Sequence, residues 1–280
     1  MSSGGFVADA SISPDTSPGG AQDRPRGREA TPEEPISSVD GRRPRGRPRG
    51  ATAQGVKTRR RLYETAIRLV AARGWHGTTL RDVAAEAGVS VGLLYRYFPS
   101  KQAVLLALYD ELSAEYAARA AELASGRWRD RFLVALRTSL DVLRPHRSTL
   151  AALVGVLVSP SEDGLFASGT AFSRLRVQAV FVQAVAGATD APRGEVGLAL
   201  GRLLYLLHLA VLLWWLLDKS PSQRATDGLV ALFGRTLPLI AIAIRVPTVP
   251  GLLLAADRLV REALLGDSPS TPRSPRDEQS

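Results

Sequence analysis

Residues 79–101 read TLRDVAAEAGVSVGLLYRYFPSK, and this stretch decides the fold. Thr79 stands three residues ahead of Asp82, the spacing at which hydroxyl and carboxylate cap a helix reciprocally, so a short helix is expected through Ala87. Gly88 ends it, because glycine reaches the left-handed conformation without steric cost. Ser90 caps a second short helix, Val91 to about Tyr97, and Phe98-Pro99-Ser100 breaks that one before Lys101 opens a long helix. Two short helices around a tight turn with glycine form a helix-turn-helix, whose second helix enters the DNA major groove. The chemistry agrees with the spacing. Gly92 removes a side chain where backbone would approach phosphate, Tyr95 and Tyr97 offer hydroxyls and flat faces, and Arg81 and Lys101 bracket them with charge. Phosphate contacts position such a module and base contacts specify its sequence. Thr79, Tyr95, Tyr97 and Lys101 are therefore read as positioning residues, and Val91, Gly92, Leu93 and Arg96 as the reading face beside the capping Ser90. Val83, Ala84, Val89, Leu94 and Phe98 are expected to pack beneath it.

Upstream, Leu62, Ala66, Leu69 and Val70 share one face of a helix expected over Lys57 to Arg73, with Gly74 as its stop. Downstream, apolar residues recur at helical spacing almost everywhere. Leu105, Leu108, Leu112 and Tyr116 mark the long helix; Trp128, Phe132, Leu136, Leu140 and Leu143 mark the next. Leu150, Leu153 and Leu157 form a shorter stripe, followed by Phe172, Leu175, Ala179 and Val182. The last two helices are expected over Gly194 to Asp218, apolar almost all round, and Ser222 to Ile244, with Asp218-Lys219-Ser220-Pro221 as helix end and cap. The apolar run Leu203–Leu217 is 15 residues counting His208, short of the roughly 20 that span a bilayer, so burial inside a bundle is expected and no membrane partner. Apolar surface of this breadth exceeds what one small domain covers, and a homodimer follows. Arg202, Tyr205, His208 and Trp214 sit three, three and six residues apart on the most apolar helix. They are candidates to line an effector cavity; the plainer reading makes them satisfied core or interface groups. Trp215 is placed at the dimer seam.

The chain of 280 residues carries 36 Lys+Arg against 27 Asp+Glu, a net charge of +9, and that excess is local. Nine basic residues and no acid lie between positions 41 and 61: Arg42, Arg43, Arg45, Arg47, Arg49, Lys57, Arg59, Arg60 and Arg61. The segment Pro44-Arg45-Gly46-Arg47-Pro48 resembles an AT-hook core, in which Arg45 and Arg47 would follow a narrow minor groove. With 33 Arg to 3 Lys in the chain, a solvated basic linker is the competing reading. Zero cysteines exclude disulfides and thiolate metal sites, and three histidines leave few candidates for a triad or a metal centre. No catalytic residue, metal site or cofactor is therefore expected, and the chain is read as not an enzyme. The start MSSGGFVADA lacks a basic flank followed by an apolar stretch, so a cytoplasmic protein is expected.

The run from Thr79 to Ala84 followed by Ala87 to Lys101 resembles the DNA-binding signature of the TetR family of transcriptional regulators, and the likeness covers about residues 57 to 105. Leu93 departs from it, since the family commonly has Thr or Ser there, and an apolar side chain favours contact with a thymine methyl. The resemblance implies an all-α chain: an N-terminal three-helix helix-turn-helix DNA-binding domain followed by a C-terminal helical bundle for dimerisation and ligand binding. The expected segments are a disordered basic arm at 1–55, the DNA-binding domain at 56–103, the bundle at 104–265 and a disordered tail at 266–280. The expected partners are double-stranded DNA, a second copy of the chain and a small-molecule effector of unknown identity. A ligand-responsive repressor on a palindromic operator follows, with an architectural DNA-binding protein lacking an effector as the alternative.

Overall fold

Among residues 52–265, those described by the computed structural model, every element is helical. Helix α1 (Ala53–Arg73) begins four residues before the expected Lys57, because the Thr52 hydroxyl accepts the Gly55 N–H at 3.1 Å and starts the first turn early. Residues 53–55 are thus the first residues of the helix. Leu62, Ala66, Leu69 and Val70 are buried as their spacing predicts, and Gly74, at φ +75°, closes the helix onto the Val70 carbonyl. In α2 (Leu80–Glu86) the reciprocal cap is present: Asp82 N–H donates to the Thr79 hydroxyl at 3.2 Å, and Thr79 N–H donates to Asp82 Oδ2 at 2.8 Å. Gly88, at φ +63°, turns the chain into α3 (Val91–Tyr97), which the Ser90 hydroxyl caps through the Leu93 N–H. Ser100 caps α4 (Lys101–Arg119) in the same way.

The bundle continues with α5 (Trp128–Leu143), α6 (Arg147–Ala152), α7 (Val154–Leu157), α8 (Ala171–Ala186), α9 (Glu195–Leu217), α10 (Arg224–Ala243) and α11 (Val249–Val260), then a π-helical turn, Arg261–Leu265. Helix α9 is the axis, touching α5, α6, α8, α10 and α11. Its closest approach is to α8, where a Cβ on Gly201 would stand 2.7 Å from Val182 Cα, leaving no space for a side chain. By length and composition α9 and the segment Pro221–Ala243 are each apolar enough to cross a membrane. In α9 the apolar surface is largely taken up by neighbouring helices; α10 leaves Leu232, Leu239, Ile240 and Ile242 exposed. Where α9 ends, the Arg147 guanidinium donates to the carbonyls of Trp215, Leu216 and Asp218. The Asp218 carboxylate accepts the N–H groups of Ser220 and Thr226, so the expected helix end and cap is present.

Two expectations need correction. The stripe on α8 lies on another face: Phe172, Leu175 and Ala179 are exposed, and Val180, Phe181, Ala184 and Val185 make the core. This helix is apolar on more than one side, and the face carrying Phe181 wins because that ring joins Phe132, Tyr116 and Tyr205. Helix α11 was hidden by Pro247, Pro250 and Gly251, which read as linker. Proline is tolerated in a first helical turn, where its missing N–H would have no partner anyway, and Pro250 sits there. A bidentate pair fastens α11 to α9, with Arg202 Nε and Nη2 each 2.6 Å from an Asp257 carboxylate oxygen. One hydrophobic core runs from Leu62 and Leu94 through Val104, Leu105 and Leu108 of α4 into the bundle. The described residues form a single compact unit.

Candidate nucleic-acid interface and ligand cavity

Helix α3 is fixed by a narrow base. Leu94 is its one buried residue, and Phe98, 2% exposed, anchors its end; Val83 and Ala84 are buried below and Val89 packs against them. The other side looks outward: Ser90, Val91, Gly92, Tyr95 and Arg96 are exposed, as is Arg81 on α2, while Leu93 and Tyr97 are half-buried. Nothing lies within 4 Å of a Cβ built on Gly92, so the backbone there is open to close approach. Thr79 and Ser90 spend their hydroxyls on helix caps, and their contribution to the surface is the orientation of α2 and α3. Lys101 also has a partner within the fold. Its ammonium donates to the Trp75 carbonyl and lies 4.2 Å from the centroid of the Trp75 ring, and burial lowers its pKa. It joins α4 to the α1–α2 linker before it offers anything to phosphate.

The surface extends beyond the expected residues. A Cβ on Gly55 would lie 3.3 Å from the Tyr97 hydroxyl, so the first turn of α1 abuts the end of α3. Arg59, one turn further along that face, has its guanidinium 5.2 Å from the centroid of the Phe98 ring at the end of α3, while Lys57 and Arg61 are exposed on other sides of α1. The local charge excess was legible; its place beside α3 required the Thr52 cap. Arg60 is engaged with Glu64 and Glu111 at 2.6 and 2.8 Å, which raises its pKa and leaves it a structural role. Arg45 and Arg47 lie outside the described residues.

The bundle holds a half-open cavity of about 460 Å³. Helix α4 gives it Tyr109, Leu112, Ser113 and Tyr116; α5 gives Ser139 and Leu143; Leu150, Val154 and Leu157 come from α6 and α7. Phe166, Thr170, Arg174 and Val177 close one side, and α9 supplies Tyr205, His208, Leu209, Leu212 and Trp215. Of the four expected residues, Tyr205 and His208 line it. Arg202 does not, being turned to Asp257, and Trp214 is 50% exposed. Trp215, expected at the dimer seam, is instead 2% exposed and faces the cavity; a step of one residue turns a helix by about 100° and exchanges the two indoles. His208 is held by Ser139, 2.8 Å from its Nε2, and by the rings of Phe181 at 4.6 Å and Tyr116 at 6.2 Å. Burial pushes its pKa down to about 3, so the imidazole is neutral near pH 7. A serine–histidine contact in a cavity invites a hydrolytic reading. A base so weakened, whose Nδ1 has no orienting carboxylate, is poorly suited to activate a nucleophile.

Sequence reasoning missed Tyr109, Tyr116 and Arg174. The two tyrosines are seven apart on α4 and share its inner face, a signal hidden among leucines of the same stripe. Nothing in the sequence separates Arg174 from Arg176, yet Arg176 turns out to Asp110 and Arg174 lines the cavity.

Residues 62–108 match the family profile described as bacterial regulatory proteins, tetR family. The EthR transcriptional regulator of Mycolicibacterium smegmatis is 42% identical over 71 residues, 25% of this chain and 32% of its own length. The NemR transcriptional repressor of Escherichia coli is 32% identical over 105 residues, 36% of this chain and 52% of its own. The chain is thus matched to its curated relatives over only 16% to 52% of their lengths. Among solved structures, a tetR-family transcriptional regulator from Streptomyces coelicolor superposes with a TM-score of 0.51 at 20% identity, covering 80% of this chain and 94% of that one. That likeness extends through the bundle and concerns the fold.

Proposed function

We propose, from the match of residues 62–108 to the profile of the tetR family of bacterial regulatory proteins, that this chain is a sequence-specific DNA-binding transcriptional regulator of that family: a ligand-responsive repressor, acting in the cytoplasm as a homodimer on a palindromic operator. The observation that carries the reading is α3, a short helix held by Leu94 alone that turns Val91, Gly92, Tyr95 and Arg96 to solvent beside a basic helix start. An outward face that pairs small and apolar side chains with a tyrosine and an arginine suits the floor and walls of a major groove. Thr79, Arg81, Ser90 and Tyr97 support it from the flanks, and Arg45 and Arg47 would add contacts from the arm. The cavity favours the repressor over an architectural protein, since non-specific coating of DNA has no use for a half-open apolar pocket of about 460 Å³. A ligand there would favour a conformation whose two reading helices no longer match successive major grooves.

Selection from randomised duplexes with the full chain tests this. A palindromic consensus should emerge, bound by two chains and preferred over random DNA by about a thousandfold or more. Arg96→Ala together with Tyr95→Ala should reduce that preference by about tenfold or more while leaving helicity unchanged. Retention of sequences without any consensus would favour the architectural alternative and sink the repressor.

A further inference from the structure

We propose, building on the reading of the bundle cavity as an effector site, that its ligand is an apolar molecule carrying one carboxylate, received by the guanidinium of Arg174. The cavity wall is mostly leucine, valine and aromatic carbon, and Arg174 is the one formal charge among the residues that line it at neutral pH. The two arginines of α8 have different fates. Arg176 Nη1 donates to the Asp110 carboxylate at 2.8 Å and to the Ser113 hydroxyl at 2.7 Å. Arg174 has its Nε and Nη1 buried with no hydrogen-bond partner, and its guanidinium lies 5.8 Å from the centroid of the Phe166 ring.

A guanidinium withdrawn from water without a counter-charge is unfavourable, and its planar fork matches a carboxylate through two parallel N–H donors. The wall also holds the Tyr109 and Tyr116 hydroxyls, both buried and unpartnered, so polar atoms besides the guanidinium remain unpaired. No aspartate or glutamate lines the cavity, which removes the counter-charge that a cationic ligand would need. A phosphate monoester would bring a second negative charge into an apolar chamber with no second cation to meet it. A monocarboxylate leaves the occupied cavity neutral, and its hydrocarbon part replaces water against the leucines of α9.

Calorimetric titration of the full chain with decanoate, decanol, decylamine and decyl phosphate tests the assignment without any variant. Decanoate should bind about tenfold or more tighter than each of the other three, the range expected of a charge-assisted hydrogen-bonded pair. Arg174→Met should bring decanoate down to the affinity of decanol and leave decanol unchanged; Arg174→Lys should keep part of the preference. Decanoate and decanol binding alike, decylamine or decyl phosphate binding as tightly as decanoate, or Arg174→Met retaining full decanoate affinity would overturn the carboxylate assignment while the cavity remained a ligand site. Binding of none of the four would remove the effector reading itself, and the carboxylate with it.

Discussion

His208 shows how much one residue's neighbours decide. Its place on the most apolar helix was legible, and so was its proximity to Tyr205; its state was not, because Ser139, Tyr116 and Phe181 come from helices remote in sequence. Burial holds its folded pKa at about 3 against 6.5 when exposed, so between those values the unfolded chain binds a proton that the folded chain refuses. Stability from this group is complete above pH 6.5 and declines as pH falls toward 3, by about 1.4 kcal/mol per unit. In urea titrations the stability advantage of the native chain over His208→Gln should shrink by about 2 kcal/mol between pH 7 and pH 5. A pH-independent gap would mean that His208 is not the group being titrated. Arg174 and Trp215 carry the complementary lesson. Their residue types were visible, but whether a side chain on an all-apolar helix points to a cavity or to solvent depends on a rotation that periodicity alone does not set.

At the scale of elements, α2 and α3 were readable because their limits are written locally. Thr79 with Asp82 and Ser90 with Leu93 each act across three residues, Gly88 turns the chain between them, and no distant contact is needed to place them. Helix α11 is the opposite case, since its proline and glycine start reads as a linker and its anchor, Arg202, lies 55 residues upstream. Asp257 is 4% exposed. Asp257→Asn should keep a hydrogen bond but lose the charge pairing, loosening α11 at a cost of about 2 kcal/mol, below the range for a fully buried pair because Arg202 is partly solvated. Hydrogen exchange should quicken over 249–260 and stay unchanged in α2 and α3. Equal protection across α11 in both proteins would show that packing, not the ion pair, holds this helix. The misplaced stripe on α8 follows from the same cause as the indole exchange: with apolar residues on several sides, tertiary contact selects the inward face.

For the whole molecule, the sequence carried the helical class, the helix-turn-helix and the large apolar excess. What it did not carry was how that excess is shared between cavity, core and exterior. Leu239 and Ile242 on α10 are 66% and 64% exposed, a disposition that suits the proposed contact between copies. Ile242→Glu should therefore leave the fold intact and raise the dimer dissociation constant by about a hundredfold, as measured by sedimentation. An unaltered dimer would place the seam elsewhere, and a native chain that sediments as a monomer would end the homodimer proposal.

Helix α6 is six residues long, yet it packs along α1, lends Leu150 to the cavity wall and, through Arg147, grips the end of α9. It sits as a wedge between α1 and α9. With its rise of about 1.5 Å per residue it is only about 9 Å long, too short to bend and absorb a displacement internally. In the proposed ligand response, a push on Leu150 would have two outlets: Arg147 slides along the carbonyls of α9, or α1 tilts. Because α1 carries the basic turn against the end of α3, the second outlet re-aims the reading helix, and the strength of the Arg147 grip sets how much of the push travels that way.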